Sequence, residues 1–322
     1  MAQAAESFEA TEQFKLIRET VESSGNKLSI KSLCELAGVH RSAYYRWLNP
    51  YVPKIRDKES QDQIDFQLIL EAYNFRGYSK GVMGIYMRLL HMGIRMNHKK
   101  IRRLMHKYGL MCPIRKANPY RRMAKAMRTN VVADNHLQRR FKAFGARAVF
   151  LTDITYIPFN DAFLYLSVIM DAFTEQVMSY VLSDSLEVDF VLLTVQKLFE
   201  KHTETINATA MIHSEQGCHY TSTSFRELIS NYGLRQSMSR RGNCWDNAPQ
   251  ESFFGHMKDE LSPYIKTWKT FDEVQNRIND WINYYNNDRY QVQLQGMAPN
   301  EYYHYKVTNQ LPSALTMKYS PK

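Results

Sequence analysis

Apolar positions recur at helical spacing through the first third of the chain and give way to strand-like runs near residue 147. Ala10–Val21, Ile30–Ala37 and Arg41–Leu48 read as helices, with Gly38 turning between the last two and Pro50 as a stop. Tyr51–Gln63 is charged, contains Pro53 and reads as a linker. Ile64–Tyr73, Val82–Met92 and Asn97–Tyr108 follow as three more helices, the last two separated by Gly93. In the third, Ile101, Leu104, Met105 and Tyr108 fall at i, i+3, i+4 and i+7. Lys99, Lys100, Arg102, Arg103 and Lys107 therefore take the outer face. Beyond Arg139, Arg147–Pro158, Phe163–Ala172, Gln176–Leu182 and Ala208–Ile212 are β-branched and aromatic, as strands are, with Asn160-Asp161 a hairpin turn. Glu187–His202 and Ser222–Tyr232 read as helices. Three strands, then helix, strand, helix, make an α/β pattern. Phe253, Phe254, Met257 and Leu261 form one stripe of a later helix that Asp246 or Asn247 can cap and whose first turn suits Pro249. Asp272–Asn287, with Trp281, Tyr284 and Tyr285, is the last strong helical pattern.

Composition narrows the class. With 322 residues, 44% of them hydrophobic and 21 of them tyrosine, the chain is globular and long enough for two or three domains. It has no apolar run of about eighteen residues and no charged-then-apolar leader, which argues against membrane spanning and secretion. Cys34, Cys112, Cys218 and Cys244 are scattered, outside any C-x-x-C pair, and read as free thiols of a cytoplasmic protein; His213 and His219 around Cys218 lack zinc-finger spacing.

The net charge of +10 is unevenly spread. The 62 residues between Glu71 and Asp134 contain no Asp or Glu and fifteen Lys or Arg. A block that basic is best explained by a phosphate backbone. Helix, Gly turn, helix over 30–48 reads either as a helix-turn-helix presenting Arg41, Ser42, Tyr45 and Arg46 to a groove, or as a plain helical hairpin. The outer face of Asn97–Tyr108 has what a recognition helix needs. Cys112–Ala133 carries Arg115, Lys116, Arg121 and Arg122 without periodicity, and reads as an arm that tracks a DNA backbone and orders on binding.

Three acids stand apart from this basic background. Asp153 is the one charge in an apolar strand, a costly position unless it is paired, hydrogen-bonded or coordinating a metal. Glu215 follows the strand end His213-Ser214, and Glu251 lies just inside the later helix, with 35 residues between them. Asp171, also in a strand, competes with them and reads as structural. Taken singly, Asp153 has the same bland alternative.

Thr152-Asp153-Ile154-Thr155-Tyr156, His213-Ser214-Glu215-Gln216-Gly217 and Asn243-Cys244-Trp245-Asp246-Asn247-Ala248-Pro249-Gln250-Glu251 resemble the three catalytic motifs of bacterial insertion-sequence transposases. The match runs from about Leu28 to Tyr303 and points to insertion-sequence family three, the product of its second reading frame, within the retroviral-integrase superfamily. Arg76-Gly77-Tyr78 onward resembles the second helix-turn-helix of those proteins. The resemblance implies an α/β ribonuclease-H-like core with a mixed five-stranded sheet, preceded by all-α helix-turn-helix domains. The implied map is 1–50 helix-turn-helix, 51–63 linker, 64–111 second helix-turn-helix, 112–138 basic linker, 139–265 catalytic core and 266–322 helical extension. It further implies double-stranded DNA as partner (terminal inverted repeats and target), assembly of at least a dimer on DNA, and a place at the bacterial nucleoid.

Carboxylates without His or Cys suit hard divalent cations, Mg²⁺ or Mn²⁺. Two ions about 3.5–4 Å apart serve in-line displacement at phosphorus, with water attacking in cleavage and a DNA 3′-hydroxyl in joining. Asp153 is expected to bridge the pair and Glu215 and Glu251 to hold one ion each. Lys258, two turns after Glu251, is a candidate phosphate contact, and so is Arg289 in the packing tail. One departure stands out: the family has Asp where this chain has Glu215, and the extra methylene moves the carboxylate by roughly 1.5 Å. A DNA-binding regulator without activity and a divalent-metal nuclease are the alternatives.

Overall fold

A computed structural model describes residues 10–48, 51–113, 135–138, 140–240, 244–313 and 315, with side chains left out at 51–56, 244 and 245. The chain forms two compact units, Met1–Leu68 and Ile69–Lys322. In the first, α1 (Ala10–Glu22), α2 (Ile30–Leu36) and α3 (Arg41–Leu48) close around Ile17, Leu33, Cys34 and Tyr44. Ser29 caps α2 by accepting from the Ser32 amide at 3.2 Å. Gly38, at φ +68°, makes the turn into α3. Arg41, Ser42, Tyr45 and Arg46 are all exposed, because Tyr44 takes the inward position between them.

The charged stretch expected as a linker is helical. α4 runs unbroken from Tyr51 to Asn74, and takes in both the linker and the helix expected after it. Pro53 did not exclude this, because the first turn of a helix tolerates proline. Helix α5 (Val82–His91) and α6 (His98–Lys107) then pack on each other. Asn97 caps α6, its Oδ1 accepting from the Lys99 amide at 2.8 Å. Ile101, Leu104 and Met105 are buried, while Lys99, Arg102, Arg103 and Lys107 are exposed and Lys100 is half-buried. Arg115, Lys116, Arg121 and Arg122 lie outside the described residues.

The core is one five-stranded sheet in the order β3-β2-β1-β4-β5. β1 (Val149–Phe159), β2 (Ala162–Asp171) and β3 (Val177–Ser183) form an antiparallel meander, and β4 (Met211–Ser214) and β5 (Arg235–Met238) add in parallel on the other side of β1. Asn160 takes φ +51° in the two-residue turn between β1 and β2, a conformation Asn tolerates. β5 had no sequence expectation, because Arg-Gln-Ser-Met is short, polar and without alternation. α7 (Asp189–His202) and α9 (Thr223–Asn231) cover one face, burying Phe150, Ile169 and Ile212. The other face, with Ile157, Leu166, Val168 and Met170, is covered by α10 (Ala248–Ile265) and α11 (Phe271–Asn287). α12 (Pro299–Thr308) closes the chain against Leu90 of α5, with Leu294, Met297 and Tyr302. Among the described residues no helix is long and apolar enough to cross a membrane.

Candidate active site

β1 and β4 are parallel neighbours with Leu151 level with His213. Two residues further along each segment stand Asp153, within β1, and Glu215, just past the end of β4, so the parallel pairing leads both toward the same end of the sheet. On its other side Asp153 is paired with Val168 of β2. The Val168 carbonyl accepts a 3.2 Å bond from Nε2 of fully buried Gln250. That bond pins the first turn of α10 across the sheet beside Asp153, and Glu251 is the next residue.

The electrostatics register the convergence. Burial raises the Asp153 acid to about 7, and the charges of Glu215 and then Glu251 add to the rise. The Ile154 amide, donating to its Oδ1 at 2.8 Å, and Lys258 pull the other way. Glu215 is exposed at the strand end, yet its surroundings still push its carboxyl upward by desolvation. Lys258 is exposed on α10; desolvation lowers its ammonium and the charge of Asp153 raises it. Tyr220, buried in the short helix α8 (Cys218–Thr221), also feels both Asp153 and Glu215.

The polar residues around the carboxylates have partners that the sequence did not show. Asp246 does not cap α10. It is buried and holds Arg240 through two 3.0 Å bonds, takes a 3.2 Å bond from the Arg240 amide, and accepts from Asn135 at 2.9 Å. Asn247 is the N-cap by position, without a side-chain cap bond. His213 is buried between the hydroxyls of Ser237 at 2.9 Å and Ser239 at 3.0 Å, which tie β4 to β5 just before Glu215. Asp171 is satisfied internally, by the Arg147 and Phe173 amides and the Thr174 hydroxyl. Arg289 is engaged by Glu260 at 3.1 Å and is no open phosphate contact.

Burial lowers the His213 imidazole to about 4, so it is neutral in the fold and charged in the unfolded chain below about 6.5. The sign follows: its contribution is complete above pH 6.5 and is lost as pH falls toward 4. Urea melts from pH 7 to 4 are expected to show this as a steeper loss of stability in the native chain than in His213→Asn, by up to about 3 kcal/mol at pH 4. Parallel curves would remove the buried-imidazole account.

Residues 145–244 match the integrase core domain, as do 251–306, and residues 60–118 match an HTH-like domain. The putative transposase InsK of insertion element IS150 from Escherichia coli is 32% identical over 273 residues, 85% of this chain and 93% of that protein. The chain belongs to the insertion-sequence family three transposases. The transposase InsF of IS3A from E. coli is 26% identical, over 81% of this chain and 91% of its own. That of IS904 from Lactococcus lactis is 30% identical over 77% and 98%. Among solved structures, the HTLV-2 integrase catalytic core domain in complex with magnesium is 17% identical, covering 49% of this transposase and 97% of that chain at TM-score 0.39. The Mos1 mariner transposase catalytic domain is 12% identical over 42% and 70%, at TM-score 0.38. This transposase has the ribonuclease-H-like integrase core, of polynucleotidyl-transferase type, with an HTH-like domain before it.

Proposed function

We propose that the transposase binds the terminal inverted repeats of its element, cleaves there and joins the ends to target DNA, with Asp153, Glu215 and Glu251 as the catalytic carboxylates. The observation that carries this is the placement of β1, the end of β4 and the start of α10 around Asp153, through the β1–β4 pairing and the Gln250–Val168 bond; burial first, and then the charges of Glu215 and Glu251, raise the Asp153 acid to about 7. Three carboxylates repelling one another in a half-buried notch form a site short of positive charge, and their oxygen donors fit Mg²⁺ or Mn²⁺ in kind. Among the described residues no three acidic, Cys or His groups stand close enough together to hold a metal ion. Asp153, Glu215 and Glu251 would hold the divalent ions, which would supply charge for the attacking and leaving oxygens.

The chain's own residues do the rest. Lys258, on the helix of Glu251, meets a DNA phosphate. The basic face of α6 (Lys99, Lys100, Arg102, Arg103, Lys107) reads a groove of the inverted repeat, and Arg41, Tyr45 and Arg46 of α3 a second segment. Arg115, Lys116, Arg121 and Arg122 contact the DNA backbone. Two DNA ends must be brought together, so the working form is a dimer or larger on DNA.

The test uses duplexes ending in the inverted repeat, with Mg²⁺ or Mn²⁺, and compares this chain with Glu215→Asp. Cleavage and joining by either supports the transposase reading. Activity only in Glu215→Asp identifies Glu215 as a disabling change, and equal activity identifies it as a working ligand. Cleavage without joining leaves a nuclease. Binding with no cleavage by either protein, under any metal condition, replaces the reading with a DNA-binding regulator.

A further inference from the structure

Helix α10 touches both the candidate site and the HTH-like domain. Its first turn carries Glu251. Its last turn carries Tyr264, whose hydroxyl donates to the Gly77 carbonyl at 3.3 Å. Thirteen residues at 1.5 Å each separate them, about 20 Å of continuous helix. Gly77 lies in the tight turn that leads into α5, at φ +72°, next to Arg76 at φ +62°. Two successive left-handed residues cost energy, more at Arg76 than at glycine, and persist only where surroundings impose them.

Here α11 imposes them. Arg76 lies 3.7 Å from Asp280 and 3.6 Å from Asp288. Tyr78 stacks on Tyr284 at 4.7 Å and donates to Asp280 at 2.8 Å. At the far end of α5, His91 lies flat on Tyr290, with centroids 3.6 Å apart and planes within 9°. Anchors at both ends of α5 resist rotation as well as translation, and α6 is packed on α5.

We infer that α10 and α11 act as a ruler: they hold α6 at a fixed offset from the carboxylates, so the base pairs α6 reads determine which phosphodiester reaches the site. The inference rests on the proposed roles of α6 and of the three acids. A single inserted base pair moves the next phosphate by about 3.4 Å and turns it by about 34°. Catalytic geometry tolerates about 0.5 Å. A rigid mount cannot absorb that shift, whereas a loose tether would.

The experiment places an iron–EDTA group on exposed Cys218, three residues past Glu215, in a chain whose other cysteines are serine. Hydroxyl-radical cuts are mapped on duplexes in which the sequence protected by α6 sits at its natural place or is displaced by one, two or five base pairs. The cuts are expected to follow the footprint at constant offset, and metal-dependent cleavage to fall at least ~10-fold for a displacement of one or two base pairs. Tyr78→Ala and Arg76→Ala are expected to broaden the cuts to five base pairs or more, with footprint affinity unchanged within about twofold. Cuts that scatter this widely in the native chain, or that stay with the duplex end while the footprint moves, overturn the ruler. So do narrow cuts in a folded Arg76→Ala chain, which tests the mount if Tyr78→Ala does not fold. Radical cuts need no chemistry from the carboxylates. A constant offset with no strand cleavage by this chain or by its Glu215→Asp variant therefore defeats the transposase reading and leaves the ruler standing, while absence of any footprint defeats both.

Discussion

Replacing Asp153 with Asn, or Glu251 with Gln, is expected to lower metal-dependent cleavage and joining by about 10³-fold or more, roughly 4 kcal/mol at 1.36 kcal/mol per decade. Each amide keeps the size of the side chain and removes one anionic oxygen donor, so an effect of that size reports on charge. Two controls separate chemistry from folding. Affinity for inverted-repeat DNA should stay within about twofold, because the residues proposed to read bases belong to α6 and α3 and not to the set of carboxylates. Thermal stability without metal should hold or rise in Asp153→Asn, because the native carboxyl is buried and repelled by Glu215 and Glu251. Electrophoretic mobility shifts, calorimetry and an oligonucleotide joining assay read the three quantities. Substantial joining by either amide variant would sink the proposed roles.

The three acids were legible because each interrupts a pattern: Asp153 breaks an apolar strand, Glu215 ends one and Glu251 starts a helix. The element order was legible for the same reason, since α5, α6, α7, α11 and β1 to β4 all carry strong periodicity. What was not legible depends on partners distant in sequence. Gln250 looks like any helix-start glutamine until its bond to Val168 is seen, 82 positions away. Asp246 has the type and place of a helix cap, yet it is taken by Arg240 and Asn135. β5 forms because β4 offers a free parallel edge, which no local propensity encodes. The stretch 51–63 misled because charge and a proline are linker signals in mid-helix but are compatible with a solvated helix whose proline lies in the first turn.

The largest stability effect is expected at Glu260, on the α10–α11 seam. Its carboxylate is almost fully buried and accepts from Trp281 Nε1 at 2.9 Å and from Arg289 Nε at 3.1 Å. Glu260→Ala would leave Arg289 buried with its charge partner gone and Trp281 without its acceptor. Breaking one side of such a pair costs about 3–5 kcal/mol, and at roughly 2–4 °C per kcal/mol for a domain of this size the midpoint should drop by about 10 °C. The double variant Glu260→Ala, Arg289→Met removes the stranded charge and should recover part of the loss, which differential scanning calorimetry of the four corners of the cycle would measure. A single-variant loss below about 1 kcal/mol would mean that water reaches Arg289 and that the pair adds little. The consequence reaches the candidate site through packing. Trp281 meets the Phe253 ring edge-on at 5.4 Å, and Phe253 lies two residues after Glu251 on α10. Loosening α11 therefore loosens the helix that presents Glu251, and cleavage by Glu260→Ala should fall with temperature well before global unfolding.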